Sequence, residues 1–259
     1  MAIRQSFAWN GFARTGIAPD KLIAGAAAIG YAGIEMAPPE FWPAIRDAGM
    51  GLVTITGHKL APAGLNSREA FPEIEAAIMD SLEKAVAWRI PHVICFSGNR
   101  TENGPDEAAA ITAEHLRKLA PAFEAAGITL LPELLNSKVN HRDYEADHTA
   151  WGVKVCAMVA SPRVKLLYDI YHMQIMEGDL IRIIRENKDA IAHYHTAGNP
   201  GRNDLDADQE INYPAVIRAI AGTGYDGFIG HEFMPKGDAL EALRAAHELI
   251  ANALSAPPL

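Results

Sequence analysis

Short runs of strand-forming residues alternate with longer helical stretches along the whole chain. This alternation limits the available folds more than any other feature. The strand runs are Ile3–Trp9, Gly33–Met36, Gly51–Thr56 (GLVTIT), His92–Phe96 (HVICF), Ile128–Glu133 (ITLLPE), Val164–Asp169 (VKLLYD), Ile191–Thr196 (IAHYHT) and Gly227–Glu232 (GFIGHE). A helical stretch follows each, over residues 20–29, 40–48, 68–88, 106–126, 144–160, 179–187, 214–222 and 239–254. Strand runs separated by helices predict parallel pairing, because a parallel partner is reached only by a long crossover. Several runs are almost continuously apolar, as strands covered on both faces should be. Eight such units in 259 residues predict an α/β protein, a single (β/α)8 barrel over residues 1–259, with residues 255–259 as a frayed tail. A doubly wound open sheet is the rival. It would usually have fewer strands, and a dinucleotide-binding version would carry a G-x-G-x-x-G turn after the first strand, which NGFARTG does not supply.

Composition then narrows the partners. Lys and Arg number 23 against 32 Asp and Glu, so the formal net charge is 23 − 32 = −9. That balance argues against a nucleic-acid surface, which needs excess cationic side chains. Two distant cysteines, Cys95 and Cys156, make neither a disulfide framework nor a zinc knuckle, and suit a reducing compartment. The most apolar stretch, Leu22–Ile34, is too short to span a bilayer, which takes about 20 residues. The N-terminal segment lacks the apolar core of a signal peptide. The expectation is a soluble cytoplasmic protein with a small-molecule substrate and no membrane or nucleic-acid partner.

In a barrel the chemistry sits where the strands end. The fifth to eighth strand runs end at or near Glu133, Asp169, His195 and Glu232. Any one of these acids could be a helix cap or a solvated loop residue. Three carboxylates crowded at one barrel mouth would repel one another unless a positive charge neutralised them. With an imidazole beside them they suit one divalent cation, Mg, Mn or Co, or alternatively Zn. His193 and His195 are two apart and share a strand face, and His195, nearer the end, is the ligand candidate, with His193 a deeper core residue.

Around this set lie candidates for substrate binding. His172 follows Asp169 by three residues, in a loop above the strand, where it could touch a substrate oxygen or orient Asp169. His58 lies just past the third strand, as a substrate hydrogen-bonder or a plain loop residue. Arg202, in the Gly/Pro loop GNPGR, could clamp an anionic group, and Lys236 is a weaker candidate of the same kind. Met173 and Met176 read as packing residues. No P-loop, G-x-S-x-G or H-E-x-x-H pattern is present.

Four segments carry a resemblance: Leu167–Leu180 (LYDIYHMQIMEGDL), His193–Arg202 (HYHTAGNPGR), Glu210–Tyr213 (EINY) and Tyr225–Pro235 (YDGFIGHEFMP). In these the chain resembles the xylose-isomerase-like TIM barrels, and within them the hydroxypyruvate isomerase family. The resemblance implies a metal held by Glu133, Asp169, His195 and Glu232, with Glu133 and Glu232 as acid/base groups and His172 and Arg202 on the substrate. It also implies a tendency to homo-oligomers. Such isomerases often have Gln where His195 stands, and histidine there is what the sugar epimerases use. The expected reaction is isomerisation of hydroxypyruvate, or a similar short keto acid or sugar, through an enediolate. A ketose 3-epimerase on the same metal and glutamates is the first alternative. A metal-dependent keto-polyol dehydratase, or an endonuclease of the same barrel type, is the second.

Overall fold

The computed structural model describes residues 3–256. In chain order the elements are β1 (Arg4–Ala8), α1 (Trp9–Ala13), α2 (Pro19–Ile29), β2 (Gly33–Glu35), α3 (Trp42–Asp47), β3 (Gly51–Leu52), β4 (Thr54–Thr56), α4 (Phe71–Trp88), β5 (His92–Cys95) and α5 (Gly104–Ala126). They continue with β6 (Thr129–Leu134), α6 (Thr149–Val159), β7 (Leu166–Asp169), α7 (Ile170–Met176), α8 (Leu180–Glu186), β8 (Ile191–Thr196), α9 (Tyr213–Gly222), β9 (Phe228–His231) and α10 (Ala239–Ser255).

The predicted alternation is present, with four differences. The third strand run is two short strands, since Gly33 and Ile34 pair with Gly51 and Leu52 while Thr54–Thr56 pair with His92–Ile94. The helix expected from Tyr144 begins only at Thr149, and Tyr144 is a buried loop residue. Two short helices, α1 and α7, start directly at the ends of β1 and β7. In the second case Asp169 is the cause: its side chain caps α7 by accepting the His172 N–H at 3.1 Å, so His172 lies on a helix and not in a loop. Of the expected frayed tail, Ser255 closes α10, and residues 257–259 lie outside the described residues. Among the described residues no helix is long and apolar enough to cross a membrane.

The described chain forms two compact units, residues 3–53, 179–188 and 194–256 in the first, 54–178 and 189–193 in the second. In the first, β1 pairs in parallel with both β2 and β9, and β9 pairs with the Tyr194–Thr196 end of β8. Phe7, Phe12 and Phe233 meet edge to face, with centroids 5.3 and 5.0 Å apart about Phe12. Helix α2 starts with Pro19 in its first turn, and Asp238 caps α10 by accepting from the Leu240 and Glu241 N–H groups. Gly25 permits the close approach of α2 to Leu240, because a Cβ there would lie 2.6 Å from the leucine methyls.

Side chains alternate across each strand, so neighbouring residues serve different faces. On the helix-facing side of the first unit a polar chain is buried. His231 Nδ1 accepts from Thr196 Oγ1 at 2.8 Å, and its Nε2–H donates to Gln5 Oε1 at 3.0 Å. Gln5 in turn donates to the His247 carbonyl at 3.1 Å. In the second unit β4, β5, β6 and β7 pair in parallel in that order, with Ile94 opposite Leu131 and Glu133 opposite Leu167.

Burial and the nearby His247 push the His231 imidazole down from 6.5 to about 3, outweighing the opposing pull of Glu35. Between these values the unfolded chain binds a proton that the folded chain refuses. Stability from this residue is therefore complete above pH 6.5 and falls as pH drops toward 3. We expect the unfolding free energy in urea to decline across that window with the slope of one proton taken up, and a folded His231→Gln variant to lose that contribution.

Candidate active site

Because the strands of the first unit are parallel, their C-terminal ends share one edge. Glu35 ends β2, His195 is the penultimate residue of β8, and Glu232 follows β9 by one residue. Glu35 and His195 are fully buried, and Glu232 is 24% exposed. His195 Nε2 lies 2.9 Å from Glu35 Oε2, and Ser6 Oγ donates to the other oxygen of that carboxylate at 2.5 Å. The second ring nitrogen, Nδ1, faces Glu232 Oε2 at 3.1 Å, and Arg202 Nη2 donates to the same oxygen at 2.8 Å.

Burial works against the charged form of Glu232. Arg202 and His195 nevertheless hold its carboxyl down at about 2, so it is ionised at neutral pH. The Arg202 loop is tied in place. Gly198 and Asn203 form an antiparallel bridge, the Met234 N–H donates to the Arg202 carbonyl, and Asn203 Nδ2 donates to the Met234 carbonyl at 2.7 Å.

The second unit contributes Glu133 from β6 and Asp169 from the end of β7, both buried. A carboxylate oxygen of each lies within 4.8 Å of the other. The Tyr144 hydroxyl donates to the Glu133 carbonyl and accepts the Ser97 N–H, both at 3.0 Å, which pins the backbone under Glu133. Beside Asp169, His172 Nδ1 accepts the Asn136 N–H at 3.1 Å. In the neutral ring the proton is therefore on Nε2, 3.7 Å from Asp169 Oδ2. Asn136 is itself fixed: its Oδ1 accepts from the Val139 and Asn140 N–H groups, and its Nδ2 donates to Asn140 Oδ1.

These donors fit a divalent cation. In the first unit His195 Nδ1 stands 3.1 Å from an ionised carboxylate oxygen, Glu232 Oε2, a separation that a ring proton or a cation can fill. Such a pair needs a proton or a metal between its members. The Glu133 and Asp169 carboxylates supply further oxygen donors in the second unit. Mixed imidazole and carboxylate donors suit Mg, Mn, Co or Zn.

The remaining candidates are otherwise engaged. His58 is buried; its Nε2 accepts the Phe96 N–H at 3.0 Å and its Nδ1–H donates to the Lys59 carbonyl at 3.1 Å. Both ring nitrogens serve the backbone, which leaves none for a substrate. Lys236 is ion-paired at the surface with Asp206 at 2.7 Å. His193 is buried in the second unit, its ring 5.4 Å from that of His92. Sequence reasoning missed Glu35. It stands one residue before the end of the strand run Gly33–Met36 and ends the observed β2, so a strand-end test with one residue of tolerance would have found it.

Residues 23–253 match the family described as Xylose isomerase-like TIM barrel. The chain belongs to this family. A 2-oxo-tetronate isomerase from Pectobacterium atrosepticum is 29% identical over 233 residues, covering 84% of this chain and 87% of its own. A hydroxypyruvate isomerase from Escherichia coli is 33% identical over 142 residues, covering 54% of this chain and 53% of its own. Among solved structures, an AP endonuclease, family 2, from Brucella melitensis superposes with a TM-score of 0.82 at 23% identity, over 93% of this chain and 97% of that one. That likeness is one of fold. The TIM barrel read from strand alternation is thus the fold of the xylose isomerase-like family.

The His58 geometry yields a test. We expect His58→Ala to lower the unfolding free energy by about 1–3 kcal/mol, because it strands a buried amide N–H and a carbonyl. KM for the substrate should not change. Chemical denaturation and steady-state kinetics check the two halves.

Proposed function

We propose that this isomerase acts on short 2-keto acids, interconverting hydroxypyruvate and tartronate semialdehyde or the corresponding pair one carbon longer. On this reading Glu133, Asp169, His195 and Glu232 are the ligands of one divalent cation, and Glu133 and Glu232 also move the proton. The observation that carries the reading is the buried His195 ring with ionised Glu232 3.1 Å from its Nδ1, where a cation would take the place of a ring proton. The keto acid class is supported by the relatives, named as isomerases of 2-oxo-tetronate and hydroxypyruvate.

When bound, the cation supplies Lewis-acid polarisation of the substrate carbonyl. The remaining chemistry belongs to side chains. One glutamate takes the proton from C3 of hydroxypyruvate, leaving an enediolate, and a proton returns to C2 from that glutamate or its partner. The hydroxyl proton passes from the C3 oxygen to the C2 oxygen, so the atoms balance. His172, with Nδ1 committed to the Asn136 N–H, offers Nε2–H to a substrate oxygen. Arg202 exposes 23% of its side chain while it holds Glu232, and a guanidinium there suits the substrate carboxylate. The alternative, a ketose 3-epimerase, draws on the histidine at 195 and is separated by the product.

Incubation of the metal-loaded protein with hydroxypyruvate, a four-carbon 2-oxo acid and a free ketose in D2O tests the reading. We expect tartronate semialdehyde from hydroxypyruvate, or a 3-oxo acid from the four-carbon substrate, with solvent deuterium on carbon; turnover of the ketose alone would transfer the assignment to an epimerase. Glu133→Gln and Glu232→Gln should each lower kcat by about 10²–10⁴-fold with the fold retained, a typical scale for losing an acid/base group. Near-normal turnover in either would remove it from the proton path. Arg202→Ala should raise KM for the keto acid far more than for a neutral ketose, as initial rates would register.

A further inference from the structure

His195 has two chemically different nitrogens, and an imidazole serves as a metal ligand only through the one that carries no proton. Something must therefore decide where its proton sits. The Glu35 carboxylate lies on the Nε2 side at 2.9 Å. A carboxylate in its ionised form only accepts hydrogen bonds, so this contact places a proton on Nε2, and any proton on Nδ1, which faces Glu232, is the one a cation would replace. Ser6 Oγ, donating at 2.5 Å to the other carboxylate oxygen, keeps Glu35 turned toward the ring. The two residues come from adjacent paired strands: Ser6 is opposite Gly33 and Ala8 opposite Glu35.

A second observation is independent of these contacts. Gly230 is the residue paired with His195 across β8 and β9. A Cβ on Gly230 would lie 2.2 Å from Glu35 Oε1 and 2.9 Å from His195 Cδ2. Only glycine leaves the space in which the carboxylate and the imidazole meet. The β9 strand is built around this contact, although Glu35 lies 160 residues from His195.

We propose that Glu35 is a positioning residue that fixes the proton of His195 on Nε2, so that Nδ1 is presented beside Glu232 as the donor for the cation. This rests on the keto acid isomerase reading only in its assignment of His195 as a ligand. On this proposal Glu35 acts through the ring and is not itself a ligand. Its effect runs through ring orientation and ligand basicity, as carboxylates behind metal-bound histidines generally act.

Zinc alone is the probe, because it binds without redox change and leaves the protein suitable for NMR. Zinc affinity is measured by competition calorimetry on the full chain, and the His195 tautomer by 15N imidazole spectra of the zinc-loaded protein. In the wild type we expect Nε2 to bear the proton and Nδ1 the metal. Glu35→Ala should weaken zinc binding by about 10–100-fold, the usual scale for losing such a partner. It should also scramble the His195 nitrogen signature.

Glu35→Gln keeps an amide oxygen to accept from Nε2 while its amino group faces Ser6 Oγ. It should bind zinc within about threefold of wild type, since affinity rests on the retained acceptor. If Glu35→Ala proves unfolded by circular dichroism, Ser6→Ala is read instead. It loosens the carboxylate and should produce the same two changes in milder form. Wild-type affinity and tautomer in a folded Glu35→Ala or Ser6→Ala would overturn the inference alone. A wild-type protein that binds no zinc, and none of the other candidate cations in the same assay, would overturn the metal reading and this inference together.

Discussion

The arrangement of the candidate site depends on one imidazole held between two carboxylates. His195 is fully buried, with Glu35 on its Nε2 side and Glu232 on its Nδ1 side. In a buried, weakly screened setting neither carboxylate can be left as an isolated charge. Ser6 and Arg202 each add a donor, the first to Glu35 and the second to Glu232. The electrostatic balance is therefore local: Glu232 stays ionised against the cost of burial because Arg202 and His195 favour its charge.

The sheet makes this possible by separating two kinds of polar group. Ser6 and His195 point one way from their strands, while Gln5, Thr196 and His231 point the other and satisfy one another against the helices. The outer chain needs a neutral His231, which burial enforces. Adjacent residues at the end of β9, His231 and Glu232, are thus driven in opposite senses, one to remain uncharged and one to remain charged. Alternation along a strand lets two such demands coexist one residue apart.

Much of this was legible in the chain itself. The eight strand runs came from apolar residues bounded by Gly, Pro and charge, and the nine strands among the described residues fall on them because parallel strands are covered on both faces. Glu133, Asp169, His195 and Glu232 were visible because polar residues ending apolar runs are conspicuous. The misses have physical causes. Val53 interrupts a run that reads as continuous, because neighbouring partners rather than propensity decide where pairing stops. Asp169 was read for its charge, yet its oxygen also caps α7, which moves His172 from a loop onto a helix. His58 looked available until the Phe96 N–H and Lys59 carbonyl took its two nitrogens.

The sequence by itself determined the kind of fold, the chemical types at the strand ends and the acidic balance that disfavours nucleic acid. These follow from periodicity, spacing and charge, which are properties of neighbours along the chain. Only the tertiary structure decided that Glu35 belongs with His195, that Gly230 makes room for their contact, and that His58 serves the backbone. Each of those depends on strand register and on which face a side chain takes, and a register is set by packing between segments far apart in the chain.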